Sequence, residues 1–125
     1  MTKLDALEAL LEKVRAGDEY IEKDIQDVWG GWRDNPASRY AMKVHATGSL
    51  DAALSLHQAV ASPHYVIHRI GQRYGGAWDA VILEIGEDGW HDHRNNKRFE
   101  VFADDPARAW LMAILQALIA QERRE

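Results

Sequence analysis

Two imidazoles and a carboxylate fall within three consecutive residues at His91-Asp92-His93, directly after Trp90. Neutral histidine and carboxylate suit zinc and related ions, so this is the sharpest place in the chain to look for a metal. A metal site needs further ligands, and the sequence offers no convincing third one. His64 and His68 are four apart in a run that reads as a strand, which separates their α-carbons by about 13 Å, too far to share one ion. The segment therefore reads first as a polar hairpin tip, with a metal or small-ligand site at His91 and His93 as the alternative. No cofactor is implied.

Other chemistry finds less support. Ser55 and His57 lie two apart on a helical stretch and face different directions, and no nucleophile elbow surrounds Ser55. Asp79, Glu84, Asp104 and Asp105 include no pair singled out for acid–base work. The glycines of Gly71–Gly76 join two strand-like runs, whereas a phosphate-binding loop leads from a strand into a helix. Turns that require positive φ explain them better.

Tryptophan carries a different signal. Five occur in 125 residues, and two of them, Trp32 and Trp90, fall in polar loops beside Arg33 and Arg94. Aromatic residues next to arginine are favoured at protein interfaces, so these four residues are the candidate partner-binding set. Trp29, Trp78 and Trp110 sit in periodic segments and read as core.

The composition sets the frame. Hydrophobic residues make up 46% and charged residues 28%, enough to bury a core in one domain spanning residues 1–125. The absence of cysteine removes disulfides, thiolate metal sites and cysteine nucleophiles, and it suits a reducing compartment. No basic and apolar leader opens the sequence, and the apolar run near the end is too short to span a bilayer. A cytoplasmic location without membrane contact is expected. The net charge of −5 disfavours nucleic acid as a partner. Residues 31–76 run against that balance, with five bases (Arg33, Arg39, Lys43, Arg69, Arg73) and two acids.

The elements that must position these residues follow from periodicity. Leu4, Leu7, Leu11 and Val14 mark a first helix, with Thr2 and Asp5 as an imperfect capping box and Gly17 as its stop. Asp18 is placed to cap a second helix containing Ile21, Ile25, Val28 and Trp29. Residues 30–39 read as a loop. Tyr40–His45 alternate and predict a short fourth strand. Ser49 caps a helix over 50–61, with Leu50, Ala53, Leu54, His57 and Val60 expected on its core face. Strands are expected over 65–70, 78–85 and 98–103. Asp105 and Pro106 open a final alanine- and leucine-rich helix. The pattern predicts an α+β fold, a three-layer α/β/α sandwich around a mainly antiparallel meander. A homodimer through the helices is compatible with it.

Two segments carry a resemblance. Thr47-Gly48-Ser49-Leu50-Asp51-Ala52-Ala53-Leu54-Ser55-Leu56 is similar to the T-x-S-(I/L)-D-A-A-L-x-L signature of the phage ABA sandwich domain family. Asp105-Pro106-Ala107-Arg108-Ala109-Trp110-Leu111 resembles that family's C-terminal T-P-A-x-A-L helix, with Asp105 in place of the threonine. The two opening helices also sit where the family carries its leading helices. The resemblance implies a sandwich architecture and a phage or prophage origin. The family has no established activity, so the expected role is a non-catalytic accessory module that binds a host or phage protein.

Overall fold

Local capping sets most of the helix ends. The computed structural model describes residues 2–31, 33, 35–61, 64–73, 75–85 and 98–124. Helix α1 (Lys3–Ala16) opens on a complete capping box: the Asp5 amide donates to Thr2 Oγ1, and the Thr2 amide donates to the Asp5 carboxylate. It stops at Gly17 in the left-handed conformation. Helix α4 (Leu50–Val60) is capped by Ser49 Oγ, which accepts from the Ala52 amide. Helix α5 (Pro106–Arg124) begins with Asp105 accepting from the amides of Ala107 and Arg108.

Several expectations need correction, among them the loop over residues 30–39, whose last four residues are helical. Helix α2 (Glu22–Trp29) starts after Ile21 without a side-chain cap, because Asp18 instead accepts from the Tyr20 amide in a local turn. Residues Tyr40–His45 are not a fourth strand. They lie inside helix α3 (Pro36–Thr47), which begins with Asn35 accepting from the Ala37 amide and with Pro36 in its first position. Six alternating residues fit either period; Ala37, Ala41 and Val44, all buried, give the helical spacing that prevails. On α4 the buried face is Ala52, Ala53, Leu56 and His57, while Leu50 (45% exposed) and Leu54 (42%) point outward.

The three strands, β1 (Tyr65–Gln72), β2 (Trp78–Glu84) and β3 (Arg98–Ala103), form an antiparallel meander in that order. The fold is α+β. Helix α5 packs against all three strands on one side and against α1, α3 and α4 on the other. It is apolar nearly all round for that reason, and Ala109, Ala113 and Ala117 are fully buried along it. The layers thus run from helices through α5 to sheet. The second helical layer expected on the opposite sheet face has no counterpart among the described residues.

A register shift decides which β1 side chains face that opposite side. Ile67 pairs with Ile82, but Arg69 pairs with Val81, so one extra residue of β1 is taken up between them. An unbroken ladder would set Arg69 opposite Ala80, on the face packed against α5. The bulge turns Arg69 to the other face and brings Ile70 inward beside Ala80.

Candidate binding face on the sheet

The face turned away from α5 carries an arginine–carboxylate cluster. The register sets Arg69, Val81 and Glu100 in one cross-strand row, with Asp79 and Phe102 in the next. Asp79 is 1% exposed. A carboxylate so buried is costly unless it is paired and hydrogen-bonded. Arg69 meets the requirement with a forked contact, Nε to Oδ1 at 3.3 Å and Nη2 to Oδ2 at 2.8 Å. Arg73 Nε donates to Oδ2 at 2.9 Å. Burial alone would raise the Asp79 carboxyl, but the two guanidinium groups outweigh it and hold its pKa below the ordinary value.

The β1–β2 turn brings Arg73 into place. Gly75 and Gly76 both adopt positive φ, as expected of a turn, and the Arg73 amide donates to the Ala77 carbonyl. That closure folds Arg73 back over the sheet, where its guanidinium lies 5.6 Å from the Phe102 ring centroid. Glu100 Oε2 completes the cluster, with Arg69 at 3.0 Å, Arg73 at 3.4 Å and Arg98 at 3.5 Å. Among the described residues, three arginines therefore surround two carboxylates, an excess of one positive charge. All three remain about half-exposed, and Phe102 is 53% exposed.

The predicted interface residues fall differently. Arg33 is exposed in the turn before α3. Trp32, Trp90, Arg94, His91 and His93 lie outside the described residues. Among the described residues no group of three or more histidine, aspartate or glutamate side chains could hold a metal ion. Of the three tryptophans expected in the core, Trp110 is buried, Trp29 packs against the core from its edge, and Trp78 is half-buried. The cluster was missed although its signal was present. The alternation of Phe99 and Val101 within 98–103 puts Glu100 and Phe102 on the opposite face by strand parity. The pairing of Arg69 and Arg73 with Asp79 has no local signal.

The two segments that carry the family resemblance meet in space. A β-carbon added at Gly48 would lie 2.6 Å from Asp105 Oδ2, so the start of α4 and the cap of α5 are in close contact. Comparison with protein-family models, curated proteins and solved structures found no match to this chain.

Proposed function

We propose that this chain is a non-catalytic protein-interaction module, and that it engages an acidic segment of a partner through the sheet face of Arg69, Arg73, Arg98 and Phe102. The observation that carries the reading is the exposed Phe102 ring under Arg73, set among half-exposed arginines that a buried carboxylate holds in place. Aromatic and arginine side chains dominate interface energetics, and anchoring them beforehand lowers the entropy lost on binding. The local positive excess in a chain of net charge −5 selects acidic over basic partners. The similarity of Thr47–Leu56 and Asp105–Leu111 to phage sandwich proteins supports a phage or prophage accessory role in the bacterial cytoplasm.

Affinity capture from lysate of the encoding organism tests the assignment, comparing the wild type with Phe102→Ala and Arg98→Glu. One stoichiometric acidic partner, held by the wild type and lost from both variants, is the expected result. Retention by both variants, with loss from Trp32→Ala and Trp90→Ala instead, would move the interface to the loop tryptophans.

A further inference from the structure

His57 sits where three elements meet and is 5% exposed. Its Nε2 lies 2.8 Å from the Tyr65 carbonyl at the start of β1, and its Nδ1 lies 3.1 Å from Trp110 Nε1 on α5. An indole N–H can only donate. Nδ1 must therefore accept, which leaves the proton of the neutral ring on Nε2, where it donates to Tyr65. Both ring nitrogens are satisfied in this tautomer, and only in this one.

We propose that His57 is an acid-sensitive latch joining α4 and β1 to α5, closed while the imidazole is neutral and opened by its protonation. A second proton on Nδ1 would face the Trp110 N–H, donor against donor, at a site that water does not reach. The surroundings offer little to offset this. From β1 the ring meets the Tyr65 carbonyl, and from α5 the Trp110 indole, centroid to centroid at 5.9 Å. No charged group among the described residues perturbs the ring. Burial, partly offset by the bond to Tyr65, lowers the His57 pKa.

The sign follows from linkage. The unfolded chain takes up the proton near pH 6.5, whereas the folded chain resists it to lower pH. Below about pH 6.5 the folding equilibrium constant therefore falls by about tenfold per pH unit on account of this group, until the folded-state pKa is passed. The test is denaturant unfolding of the full chain from pH 7.5 to 5, comparing the wild type with His57→Gln. The glutamine amide can donate toward Tyr65 and accept from Trp110 without titrating in this range. The variant is expected to lack the His57 component of the acid loss, so the stability difference between the two proteins changes steadily below pH 6.5. Parallel curves would overturn the proposal. Should His57→Gln fail to fold, nitrogen-15 NMR titration of the wild-type imidazole decides. A protonated Nε2, bare Nδ1 and depressed pKa are expected; an ordinary pKa or the opposite tautomer would contradict the latch.

Discussion

Gly48 meets two constraints at once. Its φ of +65° places it in the left-handed region, and any β-carbon there would press against the Asp105 carboxylate that caps α5. The backbone conformation alone costs about 1–2 kcal/mol for an alanine. Displacing Asp105 adds the loss of a helix cap, worth about 1 kcal/mol. Gly48→Ala is therefore expected to destabilise the fold by about 2–3 kcal/mol in chemical denaturation. The Asp105→Ala and Gly48→Ala losses should be less than additive, because removing the carboxylate also removes the clash. Caps of this kind were legible in the sequence. Thr2, Ser49 and Asp105 bond to amides two or three residues away, and such contacts leave a local signature.

Legibility falls away at the scale of elements. Residues 40–45 read as a strand because a short alternating window cannot separate period two from period 3.6, and the caps at Asn35 and Gly48 fix the helix from outside that window. The β1 bulge is less visible still. Whether Arg69 faces α5 or the opposite side depends on one residue inserted relative to β2, and periodicity within β1 does not reveal it. This yields a paired prediction. Deleting His68 makes Ile67 and Arg69 consecutive, so they pair with Ile82 and Val81 in an unbroken ladder, and Arg69 keeps its face and its contact with Asp79. Cross-strand NOEs in the deletion variant are expected to keep Arg69 opposite Val81, and contacts that set Arg69 opposite Ala80 would contradict the bulge. His68→Ala keeps the residue count, so cross-strand NOEs should still show Arg69 opposite Val81.

At the scale of the whole molecule, the sheet differs in charge between its two faces, although Val81 and Leu83 are buried on the arginine-bearing side as Ala80 and Ile82 are on the other. Its α5 face is closed by Ala80, Ile82 and Val101, while the other face concentrates arginine in an acidic chain. Asp79 holds that second face together, and its pH dependence has a definite sign. Its folded-state pKa lies below the unfolded value of about 3.9, so its contribution is present at neutral pH and is lost as the pH falls through the lowered value. Asp79→Asn should cost about 2–4 kcal/mol at pH 7, with the gap to the wild type narrowing toward pH 3 in urea titrations. Partner binding through the same face should weaken with added salt, since its charges are half-exposed.

The most direct test of the binding face is a nitrogen-15 NMR titration with a glutamate-rich peptide carrying one aromatic residue, at moderate ionic strength. Amide shifts concentrated at Arg69, Arg73, Arg98 and Phe102, and abolished by Arg98→Glu, are the result predicted here. Shifts absent from those residues, or unchanged by the charge reversal, would contradict the assignment of this face as the site of interaction.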